Sequence, residues 1–205
     1  MLKAIIVGML LVLQSSSRPG GSGTQAIAGL PNCTGITGTV TDCFVTPFTP
    51  LQPPWLNGGF GFGQVKTDGS GAVPVTGGGK GAATNGAIAW GSDQSSLLVY
   101  SSTTGIGTGG LFIRASGSGA YLWEIGAGAI FGISSTSVFT NLGGGCPAAT
   151  PGDVYKLSAA STTITCLDVT TGVSGSISDP TYTAGRPGFA VDGDMKVTKF
   201  GASSP

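Results

Sequence analysis

The sequence predicts an all-β protein built as an antiparallel two-sheet sandwich, and three observations carry this prediction. Short apolar runs alternate with turn residues along most of the chain, and many of its 38 glycines cluster between those runs. Glycine supplies the positive φ that tight chain reversals need. Beyond the first fourteen residues no charged segment has an apolar period of 3.6 residues, so we expect antiparallel pairing without crossover helices.

The strands are predicted from apolar alternation between turn signals. Two hairpins are the clearest: residues 116–119 separate two alternating runs, and residues 153–158 face residues 162–168. The predicted strands are residues 40–45, 61–66, 87–90, 96–101, 110–115, 120–125, 129–133, 154–159, 162–169, 188–191 and 195–200.

The charge content narrows the function classes. Charged residues make up 9% of the 205 residues, against about a quarter in ordinary soluble domains. The chain is nevertheless 40% hydrophobic with a formal net charge of zero, which is unlike a disordered protein. Its nine lysines and arginines are scattered, so nucleic acid is excluded as an expected partner. A weakly charged surface favours association with a partner or with itself.

The N-terminal residues have the pattern of a secretory signal peptide. Lys3 precedes the apolar run 4–13, and small residues follow it. The run is too short for a transmembrane span, which needs roughly 20 apolar residues. Cleavage is expected after Ser17 or Ala28; the alternative is an apolar segment retained in the mature protein. We therefore predict a signal or apolar segment at 1–17, a Gly/Ser/Pro-rich lead-in at 18–36, one sandwich domain at 37–205, and a secreted or surface location.

The four cysteines fit an exported protein. They allow three disulfide connectivities. Pairing Cys33 with Cys43 and Cys146 with Cys166 is favoured because each bond then closes a local reversal, while four reduced thiols are the alternative. A zinc site is not expected, because the chain has no histidine and no C-x₂-C pair.

The segment from residue 40 to residue 200 resembles the laminin-G-like and concanavalin A-like jelly-roll domains. Residues 110–123 are similar to the family's G-Y-x-L-R-x-S-G-S-G-x-Y-x-L hairpin, and Asp42, Phe44 and Trp55 to its D-x-F…W opening strand. The resemblance implies a concanavalin A-like jelly roll, and it leaves the function open. The remaining matches are residues 151–157 (PGDVYKL), 162–166 (TTITC) and 184–193 (AGRPGFAVDG).

Enzyme activity is not expected. Retaining glycosidases use two carboxylates about 5 Å apart. The chain contains one glutamate, Glu124, and lacks the paired glutamates of glucanases. Without histidine, a Ser-His-Asp triad is also excluded.

The candidate ligand-binding residues are aromatic residues and aspartates in or near turns. Trp55 and Tyr182 are expected to be exposed, and with Trp90 they are the candidates for stacking on sugar rings; the alternative for each is a place in the core. Asp179, Asp192 and Asp194 are candidates for calcium, the one cofactor considered, although a D-x-D turn supplies only two of six to eight oxygens.

The combined prediction is a non-catalytic extracellular module that binds glycan or mediates adhesion. The alternative is a structural protein of a virion, fibre or cell-surface assembly, in which low charge serves self-association.

Overall fold

The structure is a computed structural model that describes residues 33–76, 79–102 and 109–204. The predicted signal peptide, residues 1–17, and residues 18–32 of the lead-in lie outside these ranges. Among the described residues there is no helix, hence none that could cross a membrane. The strands are, in chain order, β1 (Val40–Asp42), β2 (Trp55–Asn57), β3 (Val65–Thr67), β4 (Ala72–Pro74), β5 (Lys80–Asn85), β6 (Gln94–Ser101), β7 (Gly110–Ser116), β8 (Gly119–Glu124), β9 (Ala129–Ser134), β10 (Phe139–Gly143), β11 (Val154–Ala160), β12 (Thr163–Asp168), β13 (Ser174–Ser178), β14 (Arg186–Asp192) and β15 (Lys196–Ser203).

The strands form two antiparallel sheets. The eight-stranded sheet has the order β13-β12-β11-β6-β15-β4-β3, with β1 also paired to β15. The seven-stranded sheet has the order β10-β9-β8-β7-β14-β5-β2. Both predicted hairpins are present, as β7–β8 and β11–β12. The predicted all-β antiparallel sandwich is confirmed.

The core lies between the two sheets and is rich in aromatic rings. Trp55 packs against Phe189 and Phe200 with ring centroids 5.2 and 5.1 Å apart. Farther along, Trp123 packs edge-to-face on Tyr155 at 5.4 Å. Such rings bury large apolar areas, and their burial is the main driving force that holds the sheets together.

The outer face of the seven-stranded sheet is covered by the loop between β2 and β3. Gly58, Gly59 and Gly61 have φ values of +81°, +110° and +80°, which let the chain fold back onto the sheet. This loop places Phe60 and Phe62 on Phe112 of β7, each at a centroid distance of 5.8 Å. A second, smaller apolar cluster therefore lies outside the sandwich proper.

Three predicted strands differ from the observed ones. Residues 87–90 form a loop, because Asn85 accepts hydrogen bonds from the Ala87 backbone and the Trp90 indole and turns the chain. The strand predicted at 40–45 ends at Asp42, whose carboxylate accepts from the Phe44 N–H at 2.8 Å. The strand predicted at 61–66 is reduced to β3, because the preceding residues belong to the covering loop.

Both disulfides join the cysteines that the sequence favours as pairs. Cys33 is bonded to Cys43, and Cys146 to Cys166. Cys166 lies on β12 of the eight-stranded sheet, whereas Cys146 follows β10 of the other sheet. The second bond therefore fastens the two sheets together at one open edge of the sandwich.

Arg114 of β7 is a buried cation with a φ of +52° and a side chain only 1% exposed. Its guanidinium donates to three backbone carbonyls, those of Ser92 at 2.8 Å, Tyr182 at 3.0 Å and Ser161 at 2.6 Å. Its Nη2 lies 3.8 Å from Oδ1 of the half-exposed Asp93. At this distance and exposure the ion pair contributes less than the three hydrogen bonds do. Arg114 thus ties three loops to the seven-stranded sheet.

We expect Arg114→Met to lower the free energy of unfolding by about 3 kcal/mol, because the three hydrogen bonds that tie these loops to the buried guanidinium are lost. The exposed Arg186 is a matched control, and Arg186→Met should change the value by less than about 0.5 kcal/mol. Urea denaturation of both variants measures the difference, and an equal small effect would contradict the assigned role.

Candidate functional site

A cleft of about 300 Å³ opens at the edge of the sandwich where the β13–β14 connection passes β8, β9 and β10. We call it the Tyr182 cleft. It combines an aromatic ring, a carboxylate and several hydroxyls with a small apolar wall. Its lining residues are Tyr121, Gly132, Ser134, Val138, Thr140, Leu142, Asp179, Thr181 and Tyr182.

Tyr121 and Asp179 fix one side of this cleft. The buried Tyr121 hydroxyl donates to Oδ1 of Asp179 at 2.6 Å and accepts from the Tyr182 N–H at 3.1 Å. The Thr181 N–H donates to the same Oδ1 at 2.7 Å. These bonds hold the connection against β8, so the cleft has a rigid wall.

The pKa values of the pair follow from these contacts. Burial alone would raise the pKa of Asp179, but the hydrogen bonds from Thr181 and Tyr121 outweigh it and hold that pKa below its usual range. Burial and the bond to Asp179 raise the pKa of Tyr121 to about 12. Asp179 is therefore an ionised acceptor, and Tyr121 a neutral donor, at neutral pH.

The Tyr182 ring lies against the backbone of β8 and β9. A Cβ at Gly119 would come within 2.2 Å of the ring, and one at Gly132 within 3.7 Å. The ring also packs edge-to-face on Tyr121, with centroids 5.1 Å apart. Glycine at these two positions leaves room for the ring, which is half-buried beside the cleft.

The two tryptophans named from the sequence lie elsewhere. The expectation that Trp55 is exposed is wrong: the residue is 5% exposed, and its indole donates to Asp42 at 3.0 Å inside the core. It borders a mainly apolar cavity of about 270 Å³ at the end of the sandwich. Trp90 is half-buried, donates to the Asn85 carbonyl at 2.7 Å, and does not line the Tyr182 cleft.

The three aspartates considered for calcium are not brought together. Asp179 precedes β14, whereas Asp192 ends it and Asp194 follows, and a seven-residue strand is roughly 20 Å long. Asp192 lies 3.7 Å from the Lys80 ammonium, and Asp194 accepts from the Ser102 hydroxyl at 3.0 Å. Among the described residues, no three acidic, histidine or cysteine side chains are grouped to hold a metal ion. The three carboxylates therefore cannot share one calcium ion.

Sequence reasoning named Tyr182 and Asp179 separately, as a stacking residue and a calcium ligand. The structure places both on one cleft, and adds Tyr121 and Thr140, which the sequence analysis did not select. The two-residue alternation of β8 turns the Tyr121 ring into the core together with Trp123. Its hydroxyl, which reaches the edge of the sandwich, carries no sequence signal.

The pH dependence of stability tests the Tyr121–Asp179 contact. Because the pKa of Asp179 is lowered on folding, its carboxylate stabilises the fold above the unfolded pKa, about 3.9, and this contribution is lost as the pH falls through the folded value. We expect Asp179→Asn to be destabilising at pH 6, with the difference from wild type vanishing near pH 2. Urea unfolding at several pH values measures this.

Tyr121→Phe, which removes the hydroxyl donor, supplies the control. It should show a smaller loss of stability between pH 6 and pH 2 than the wild type does. A difference between wild type and Asp179→Asn that stays constant over this range would rule out the contact as the cause.

Comparison with known proteins supports the fold. No family model and no curated protein matches the sequence. Among solved structures, the chain is similar to the carbohydrate binding module CBM66 from Bacillus subtilis, with 14% identity, a TM-score of 0.51, and coverage of 73% of this chain and 93% of that one. The Ca²⁺/Man3GlcNAc-bound VIP36 exoplasmic/lumenal domain matches with 11% identity, a TM-score of 0.50, and coverage of 73% and 83%.

A third similar structure is the Crh5 transglycosylase in complex with NAG, with 12% identity, a TM-score of 0.47, and coverage of 78% and 81%. At these identities the likeness concerns the fold alone. The chain has the concanavalin A-like jelly-roll fold, as its sequence predicts.

Proposed function

We propose that this chain is a glycan-binding module whose binding site is the Tyr182 cleft. The observation that carries the proposal is that the half-buried Tyr182 ring and the ionised Asp179 carboxylate line one cavity. An aromatic face packs against the C–H face of a pyranose, and a carboxylate accepts hydrogen bonds from sugar hydroxyls.

The rest of the cleft suits the same ligand class. Thr140 and Thr181 contribute hydroxyls that both donate and accept, and Leu142 adds a small apolar surface. Sites for small ligands commonly combine apolar walls with a few polar groups that fix orientation. The names of the similar CBM66 module and VIP36 domain, one carbohydrate-binding and one bound to Man3GlcNAc, agree with this proposal.

We infer that the module binds without catalysis and works outside the cytosol. Hydrolysis by a retaining mechanism needs a second carboxylate about 5 Å from the first, and Asp179 is the single carboxylate lining the described cleft. Two disulfides favour an oxidising compartment, as the proposed secretion requires. Calcium stays a prediction for the Asp192–Asp194 turn, to be tested as a calcium-dependent rise in Tm.

Replacement of Tyr182 tests the site. On a glycan array followed by titration with the strongest array ligand, we expect Tyr182→Ala to weaken binding about tenfold, through loss of the stacking ring. Tyr182→Phe keeps the ring and should retain most of the affinity, which separates stacking from hydrogen bonding.

Phe48→Ala is the matched control, because Phe48 is an exposed aromatic at another cavity. It should leave glycan binding unchanged. The proposal fails if the folded wild-type chain binds no glycan, or if binding persists in a folded Tyr182→Ala variant.

A second candidate function, a structural protein that assembles with copies of itself, is favoured by a different observation. Large apolar side chains are exposed in several loops and at the edge strand β10. Exposed apolar residues that cluster often mark interaction surfaces. The exposed residues are Val45, Phe48, Leu56, Val138, Phe139, Val169 and Val173.

Size-exclusion chromatography with light scattering tests this second candidate. If the chain assembles through the edge strand β10, the oligomer should dissociate in a Val138→Asp/Phe139→Asp variant. It should persist in Val45→Asp, which changes an exposed apolar residue away from β10. A wild-type chain that stays monomeric at high micromolar concentration would dismiss the assembly hypothesis and leave the glycan-binding proposal untouched.

A further inference from the structure

A row of five hydroxyl side chains crosses the outer face of the eight-stranded sheet. They come from five neighbouring strands, so the row runs perpendicular to the strand direction. With about 4.8 Å between strands, it extends over about 19 Å. From β15 to β13, the strand register places side by side Ser203, Ser95, Ser158, Thr165 and Ser176. We call this set the hydroxyl row.

The alternation of each strand fixes the direction of these side chains. Leu157 and Cys166, the neighbours of Ser158 and Thr165, are fully buried between the sheets. Successive side chains of a strand point to opposite faces, so Ser158 and Thr165 point outward. None of the five hydroxyls makes a hydrogen bond to another residue in the part of the chain that the structure describes.

A groove of about 310 Å³ lies over the β15 end of the row. Ser95, Ser158 and Ser203 line it, and Thr37 and Lys156 lie at its sides. The Ser95 hydroxyl makes no hydrogen bond to another described residue, and solvent in the groove reaches it. A ligand hydroxyl or carboxylate in the groove can therefore replace water as its hydrogen-bond partner.

The outer face of the eight-stranded sheet carries positive charge around the hydroxyl row, although the chain as a whole is neutral. In the adjacent row, Lys156 stands between Leu97 and Leu167. Its ammonium is in no ion pair within the described ranges. Lys199 also lies on this face, and the outward positions of β15, β6, β11, β12 and β13 carry no carboxylate.

We propose that the hydroxyl row is a second binding site, which takes an acidic polysaccharide chain lying across the strands. Each serine or threonine hydroxyl both donates and accepts hydrogen bonds, as a polyhydroxylated ligand requires. Equal spacing across five strands suits a repeating polymer better than a single small molecule. The Lys156 ammonium pairs with a uronate carboxylate, and the partly exposed Leu167 beside it contacts the apolar face of a sugar.

This site is distinct from the Tyr182 cleft and does not depend on the function proposed for it. The row lies on the outer face of the eight-stranded sheet, whereas the cleft is lined by β8, β9 and β10 of the other sheet and by the β13–β14 connection. Variants at one site are therefore informative without affecting the other.

Affinity electrophoresis of the full chain in native gels containing polygalacturonate tests the proposal, with neutral galactan as the comparison polymer. We expect polygalacturonate to retard the wild-type chain, and the retardation to decrease as salt is raised. Lys156→Gln combined with Thr165→Val should weaken the apparent affinity about tenfold, because it removes the charge and a central hydroxyl while keeping the side-chain volumes.

The matched control is Lys66→Gln combined with Thr84→Val, which makes the same chemical changes on β3, at the other edge of the eight-stranded sheet, and on β5 of the seven-stranded sheet. It should bind like the wild type, and thermal melts should show both double variants folded. No retardation of the wild type, equal retardation by galactan, or an equal loss in the control would overturn the proposal. Loss of polygalacturonate binding in Tyr182→Ala alone would instead assign that polymer to the cleft.

Discussion

The buried guanidinium of Arg114 is the contact on which the edge of this sandwich depends. A guanidinium cannot lose its charge in a protein, so it is stable in the interior only when its N–H groups are matched by acceptors. The carbonyls of Ser92, Ser161 and Tyr182 supply them, and they come from three separate connections. The three hydrogen bonds hold these connections in place. One of the connections carries Tyr182, so Arg114 also helps to set the shape of the candidate site.

The sequence predicted the two-sheet architecture well because turn glycines and two-residue alternation report directly on backbone geometry. The strand predictions failed where a polar side chain turns the backbone. The side chains of Asp42 and Asn85 do so by accepting a hydrogen bond from the backbone N–H two residues later. The sequence analysis also missed β2, β4, β5, β10 and β13, which are short or consist mainly of small and polar residues without a clear apolar alternation. Apolar alternation therefore identifies strands that bury several large side chains, and it misses short strands and strands held mainly by backbone pairing.

The candidate sites were less predictable than the fold, for a physical reason. A site depends on contacts between residues distant in sequence, such as Tyr121 with Asp179. Tyr182 is a sequence candidate because it is an aromatic residue in a loop, whereas Trp55 shares that signal but is buried against Phe189 and Phe200, with its indole bonded to Asp42. The hydroxyl row is invisible in the sequence because its members become neighbours only through the strand register. Two surfaces of different chemistry would let one small module contact a short glycan and a polymer at once.

The loop that lays Phe60 and Phe62 over the seven-stranded sheet has a consequence for how the fold meets solvent. Phe112 and Leu122 belong to an apolar cluster on the outer face of the sheet, which without the loop would be an exposed hydrophobic patch. The glycines beside Phe60 let the loop fold back and bury this cluster within the same chain. In an oligomer, a partner subunit would bury such a face. The part of the seven-stranded sheet under this loop is thereby covered by the chain itself, and both proposed sites lie elsewhere, at the open edge and on the outer face of the other sheet.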